Sequence, residues 1–237
     1  MDSNSRVDRG HSPHLSTMIP ELWEVLNTQE REQLLIWSSF YVFKKGETIL
    51  EVGRLPQNIY VLASGQVIIS QDGYGDRAQI LRLVKPVEFF GYHYYFSSTP
   101  YTSNAVAVDT SVVCLIPIHI LENIIVTNPR VAIFFLKDLS HQLIMSDNRT
   151  VSLTQKHTRG RLAESLLMLK EKYGLEPDDA TISIYLSRQE IANLSNMTVS
   201  NAIRTLYAFE EERILALDGR KIKIMNEEKL LEISRMG

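Results

Sequence analysis

The order of apolar and polar positions divides the chain into three kinds of pattern. Residues 20–37, PELWEVLNTQEREQLLIW, read as short helices: Pro20 suits a first turn, and Leu22, Leu26, Leu34 and Leu35 can pack inward. From Phe40 to Pro117 the period shortens. The runs YVFKKGETIL, NIYVLASGQVIIS, AQILRLV and NAVAVDTSVVCLIPI are separated by Gly, Pro, Asn and Asp, with QDGYGD as a hairpin connection. About six to eight short strands of this kind predict a sandwich or barrel of jelly-roll type. Glycines at positions 46, 53 and 65 fall at its turns, where positive φ or close approach is needed. Residues 118–126 predict a short helix, and Asn128-Pro129 breaks the chain.

Residues 129–155 predict one long helix. Ala132, Leu136, Leu139, Leu143, Ser146, Thr150 and Leu153 recur at alternating spacings of three and four, the a/d pattern of a coiled-coil seam. A packing face within one chain would give the same spacing; the narrowness and length of the seam favour a homodimer. After His157 an amphipathic helix runs to Gly174, and LEPDDATISI is a polar loop leading into a strand.

Residues 187–206, SRQEIANLSNMTVSNAIRTL, predict two short helices and a tight turn. Ser187 and Glu190 form a capping-box pair, Ile191 and Leu194 face inward, Asn196 suits a left-handed turn, and Thr198 caps the second helix. Ala202, Ile203, Leu206 and Phe209 form its apolar stripe, while Val199, Ser200, Asn201, Arg204 and Thr205 form a face fit for base edges. An ordinary helical hairpin reads the same way. The tie is broken by RILALDGRKIKIM at 213–225, two alternating runs about Asp218-Gly219, a type I′ hairpin signal. A helix-turn-helix with a two-stranded wing is a winged helix, and Arg220, Lys221 and Lys223 would lie near phosphates. EEKLLEIS is a last short helix.

Composition changes this picture little. The chain has 237 residues, 44% hydrophobic and 22% charged, with net charge −3. The acidic balance is unusual for a nucleic-acid binder, but DNA contact needs local positive potential only. No apolar run approaches the ~20 residues of a membrane span, and the polar N-terminus lacks a signal-peptide core. Cys114, the single cysteine, permits no intrachain disulfide, which fits a reducing cytoplasm. No nucleophile-and-base set, metal-ligand spacing or phosphate loop marks an enzyme.

The succession of β-roll, long helix and winged helix resembles the CRP/FNR family of bacterial transcription regulators over about residues 20–233. Three motifs carry the resemblance: the frame Phe43, Gly46, Ile49, Gly53, Tyr60, Gly65, Val67; the run Thr158-Arg159-Gly160-Arg161-Leu162-Ala163; and Ser187-Arg188-Gln189-Glu190-Ile191-Ala192 with Arg204 beyond it. The fold implied is α+β: a disordered segment at 1–19, a jelly-roll, cyclic-nucleotide-binding-like sensor domain at 20–126, a dimerisation helix at 127–156 and a winged-helix domain at 157–237. The resemblance implies a cytoplasmic homodimer on a palindromic double-stranded DNA operator, working with RNA polymerase under a small effector. It assigns Arg188 and Gln189 to phosphates and Arg204 to a guanine, with Thr198, Val199, Ser200, Asn201, Arg220 and Lys221 completing the DNA face.

Departures from the family pattern sharpen the expectation. Ser200 stands where well-known members place a glutamate that accepts from cytosine N4. In the β-roll, Phe90-Gly91-Tyr92 and Thr102-Ser103-Asn104 stand where cAMP-binding members carry Gly-Glu and Arg-Ser. The candidate effector pocket is Gly91, Tyr92, Thr102, Ser103 and Asn104 with Ser146 from the long helix. Without a glutamate and an arginine there, a cyclic phosphate would be desolvated uncompensated, so cAMP is rejected as the ligand. One cysteine excludes a four-cysteine iron–sulfur cluster. Haem, as in the carbon-monoxide sensor of the family, would rest on His93 alone, and a packed aromatic loop without metal is the simpler reading of residues 92–96. The effector is otherwise unknown. The alternatives are a regulator of the same build with no effector, and a cyclic-nucleotide-binding-like module acting on a protein partner.

Overall fold

The computed structural model of the chain describes residues 14–73 and 77–236. The chain forms two compact units. One takes the residues up to Gln71 together with Leu81–Leu143; the other takes Asp72–Ile80 and the residues from Ile144 on.

The first unit begins with helices α1 (Leu15–Met18), α2 (Pro20–Val25) and α3 (Thr28–Trp37). Asn27 and Glu30 form a reciprocal capping box on α3. Two four-stranded sheets follow. The first has the order β1 (Ser39–Phe43), β8 (Ser111–Pro117), β3 (Asn58–Ser64), β6 (Phe89–Phe90). The second has the order β2 (Thr48–Leu50), β7 (Asn104–Ala107), β4 (Val67–Asp72), β5 (Ala78–Val84). Helix α4 (Tyr92–Phe96) follows β6, and α5 (Ile118–Thr127) follows β8. The jelly-roll expected from the strand pattern is present.

Side-chain alternation explains why β3 reads as a continuous apolar run. Ile59 and Val61 enter a cluster with α1, α2, α5 and Cys114, while Tyr60 and Leu62 enter a second cluster with Phe43, Val67, Ile69, Phe90 and Val113. Both faces of the strand are therefore buried. Burial pushes the Cys114 thiol up to about 12, so it behaves as a small hydrophobe. At Gly65, φ is +89°, and an added Cβ would lie 2.4 Å from Ser111 Oγ and 2.6 Å from Ser111 Cα. No other residue fits there.

The boundary expected at residue 20 is corrected. Leu15, Met18 and Ile19 are buried in the first cluster, so ordered structure begins before Pro20; residues 1–13 of the segment expected to be disordered lie outside the described residues. The separate domain expected at 127–156 is corrected too. Helix α6 (Pro129–Gln155) is continuous over 27 residues, but its two halves belong to different units, divided after Leu143. No single helix among the described residues is long and apolar enough to cross a membrane.

The second unit contains α7 (Thr158–Tyr173), α8 (Arg188–Leu194), α9 (Val199–Glu211), strands β9 (Leu215–Asp218) and β10 (Lys221–Ile224), and α10 (Glu227–Met236). The wing turn differs from the type expected. Lys221 pairs with Asp218, so the loop is Gly219-Arg220, and Gly219 at φ +56° is its left-handed residue. That is the type II′ pattern, which needs one positive φ rather than two.

Candidate nucleic-acid interface

Helix α8 starts where the sequence places it. Ser187 Oγ accepts from the Glu190 amide at 3.2 Å, and the Ser187 amide donates to Glu190 Oε2 at 2.6 Å. Asn196 adopts φ +50° in the turn, and the Thr198 hydroxyl accepts from the Asn201 amide at 3.3 Å to cap α9. Ala202, Leu206 and Phe209 are fully buried beneath the helix. The outer face carries Ser200 and Arg204, both exposed, flanked by the half-buried Val199 and Asn201. Arg204 Nη2 donates to Asn201 Oδ1 at 2.8 Å. The amide oxygen orients the guanidinium along this exposed face. One residue on this face escaped the sequence reading. Tyr207 is 56% exposed one turn beyond Arg204, on the same stripe; its spacing of three from Arg204 was the available signal.

The residues expected on phosphates are more constrained. Arg188 is half-buried, and its Nη2 donates to the carbonyl of Gly219 at 2.9 Å, bracing the wing against α8. Its Nη1 is enclosed without a hydrogen-bond partner. Gln189 is exposed, its amide donating to Asn193 Oδ1 at 2.8 Å. Arg220 is exposed at the wing tip. Lys221 is already paired with Glu176 at 3.2 Å and lies 5.2 Å from the Tyr185 ring centre. Lys223 pairs with Asp178 at 3.2 Å. Hydrogen bonds from the Thr181 amide and hydroxyl hold that carboxyl well below the usual range.

In the β-roll the candidate effector residues divide. Gly91, at φ +83°, caps α4, and the helix turns Tyr92 away from its expected neighbours. Tyr92 is fully buried in the cluster formed with Phe89 and Phe135. Its hydroxyl donates to Asp138, and Gln142 Nε2 donates to the same hydroxyl at 3.1 Å. Burial first, then the Asp138 carboxylate, raise the Tyr92 pKa. Tyr92 therefore does not join Thr102 and Ser103, and the expected pocket is corrected at that position. Tyr94 takes its place: its hydroxyl lies 3.1 Å from Thr102 Oγ1 and 2.8 Å from Ser103 Oγ, inside the cluster of Tyr60, Phe90 and Tyr101. Asn104 Oδ1 accepts from the Val52 amide at 3.1 Å. Ser146 is exposed and belongs to the second unit. The His93 ring lies 4.1 Å from that of Tyr94, its Nδ1 enclosed without a partner, and burial lowers its pKa.

The residues of the expected seam on α6 differ in exposure. Leu136, Leu143, Ser146 and Thr150 are exposed, whereas Ala132, Leu139 and Leu153 are half-buried, Leu139 against the first-unit core. Ile133, Ile144 and Val151, each at least 50% exposed, extend the band on its other edge.

Two family models match the chain: the cyclic nucleotide-binding domain over residues 41–128 and the Crp-like helix-turn-helix domain over residues 160–233. The chain is 25% identical over 194 residues to the CRP-like cAMP-activated global transcriptional regulator of Mycobacterium tuberculosis, covering 81% of this chain and 87% of that one. It is 26% identical over 216 residues to the fumarate and nitrate reduction regulatory protein of Vibrio cholerae, covering 88% and 84%. The solved structure of FixK2 from Bradyrhizobium japonicum superposes with a TM-score of 0.74 at 21% identity, covering 83% of this chain and 96% of FixK2. With both family models matched in that order and relatives of this kind along most of its length, the chain belongs to the CRP/FNR family of transcription regulators.

Proposed function

We propose that the protein acts in the cytoplasm as a homodimer that binds a palindromic operator and works with RNA polymerase. The observation that carries the DNA-reading part is the Asn201–Arg204 hydrogen bond, which presents a guanidinium on the exposed face of α9. Arginine in that posture is suited to the O6 and N7 of guanine. Two such helices about a two-fold axis require half-sites about one helical turn apart. Selection of bound sites from random DNA tests this. Arg204→Ala should cost about 1–3 kcal/mol per half-site and relax preference at one base pair. An unchanged selected motif would sink the reading.

The exposed apolar band of α6 supports the dimer. Leu143→Glu would bury a charge on each side of the two-fold axis at a cost of several kcal/mol. Sedimentation of that variant should show monomer or unfolded protein, and an intact dimer would remove α6 from the interface.

For the effector, the M. tuberculosis relative is described as cAMP-activated, but that property does not carry over. Tyr92 and Thr102 supply neither the carboxylate nor the guanidinium that a cyclic nucleotide needs. Calorimetry with cAMP and cGMP should show no micromolar binding. A small effector other than these is one reading. The second, a regulator that needs none, is favoured by Tyr94, whose hydroxyl already occupies the bonds of Thr102 and Ser103. Native mass spectrometry of the purified dimer separates the two.

A further inference from the structure

Helix α8 ends without a glycine. The Ser195 amide donates to Ile191 and the Met197 amide to Ala192, each at 3.0 Å, with Asn196 between them at φ +50°. This closes the turn as a Schellman-type motif on asparagine. The carbonyls of Leu194, Ser195 and Asn196 are then left to find donors. Arginine supplies all three. Arg149 Nη2, from α6, donates to Leu194 at 2.9 Å. Arg161, from α7, donates through Nε to Ser195 and through Nη2 to Asn196, both at 3.0 Å. Its Nη1 reaches back to the carbonyl of Lys156 at 3.0 Å, just past the end of α6. Glu164 closes the same junction by accepting from Ser152 and, at 2.9 Å, from Lys156.

We propose that Arg149 and Arg161 are positioning residues for DNA recognition: they fix the turn from which α9 starts, and so the angle at which Arg204 is presented. This rests on the reading that α9 enters the major groove. The lever is short and steep. Asn196 lies two residues before the cap of α9, and Arg204 lies about 9 Å along the helix from it at 1.5 Å per residue. A tilt of ten degrees at the turn would move Arg204 by about 1.5 Å, enough to spoil a bidentate pair. A guanidinium suits this task because its planar fork fixes the angle between several acceptors at once, which an ammonium does not.

The test uses the full chain with Arg149→Met and Arg161→Lys, each alone and combined with Arg204→Ala. Binding is measured on the operator selected by wild type and on a scrambled duplex at the same salt. Each variant should lose on the order of tenfold on the operator, the worth of one charged hydrogen bond. It should lose little on the scrambled duplex and cost nothing further once Arg204 is Ala. Equal losses on both duplexes, or losses that add to that of Arg204→Ala, would overturn the proposal. Hydrogen exchange gives a second readout that does not need DNA. Amides 195–200 should exchange faster in both variants while those of α7 and α10 keep their protection; unchanged exchange at the turn would also overturn it. If Arg204→Ala leaves operator binding intact, the reading of α9 fails, and exchange at the turn still decides the clamp.

Discussion

The helix-turn-helix and the β-roll of this protein are built on opposite principles. Within α8 and α9 the side-chain contacts are local: Ser187 with Glu190, Gln189 with Asn193, Thr198 with Asn201, Asn201 with Arg204. The longer contacts, from Arg149, Arg161 and the Gly219 carbonyl, meet the turn and Arg188 rather than the outer face of α9. Gln189, Ser200 and Arg204 stay exposed, while Arg188 and Asn201 are half-buried. In the β-roll, Tyr94 reaches eight or nine residues along the chain to Thr102 and Ser103, and Tyr92 reaches 46 to Asp138. Tyr92, Tyr94 and Ser103 are buried, Asp138 is half-buried, and Thr102 is exposed. The outer face of α9 keeps its polar groups at the surface on short supports. The β-roll closes its tyrosine hydroxyls into the core, where each also bears on stability.

The largest effect expected from this contrast is on Tyr94. Tyr94→Ala removes a buried ring from the second cluster and leaves the buried Ser103 hydroxyl without that partner. Cavity formation in a core costs about 3–5 kcal/mol for an aromatic residue. Arg204→Ala, at the surface, should change stability by less than about 0.5 kcal/mol. Urea denaturation of the two variants side by side measures the difference. Equal stabilities would mean that Tyr94 is not part of the packed interior and that the contrast is false. Tyr94→Phe sharpens it by removing the hydroxyl alone, at about 1–3 kcal/mol.

A smaller effect separates the regions by pH. Burial raises the Tyr92 pKa, with the Asp138 carboxylate adding to it, and burial likewise raises Tyr60 and Tyr101. A raised folded-state pKa means that the unfolded chain loses its proton first. The stabilisation is complete below the ordinary tyrosine value near 10 and is lost as pH rises beyond it, by about 1.4 kcal/mol per pH unit for each such group. Unfolding followed from pH 8 to 11 should show stability falling above pH 10. Tyr92→Phe should make the fall shallower. A fall of the same slope in that variant would place the titrating groups elsewhere.

Local support also decided what could be read from the sequence. Capping pairs three residues apart, the Asn196 turn and the apolar stripe of α9 are stated by neighbouring residues, and each stands where the sequence places it. Tyr92 and Tyr94 were not legible. Two residues apart on a strand they would share a face, but Gly91 at φ +83° starts a helix, which sets them about 200° apart. One goes to Asp138 and the other to Ser103, and nothing local distinguishes them. Leu15, Met18 and Ile19 did carry a signal, the i, i+3, i+4 spacing of a helical face. It was masked by the polar residues before them.

The smallest prediction concerns the wing, where the contrast between exposed and enclosed groups is blurred. Lys221 is exposed, yet Glu176 stands 3.2 Å from its ammonium. As a surface pair this contributes about 0–1 kcal/mol to stability, so removing the carboxylate should leave the fold intact. Its effect should appear on DNA instead. A lysine neutralised by a neighbouring carboxylate brings little net charge to a phosphate and displaces little counterion. Glu176→Gln keeps the shape and releases the full charge. Each protomer would then displace up to about 0.9 more cation per phosphate contact, steepening the dependence of log affinity on log salt by that amount. Affinity for operator and scrambled duplex should rise together, because phosphate contacts carry no sequence information. Binding titrations at four salt concentrations measure the slope. An unchanged slope would show that Lys221 does not reach the backbone, leaving Arg220 as the phosphate contact of the wing.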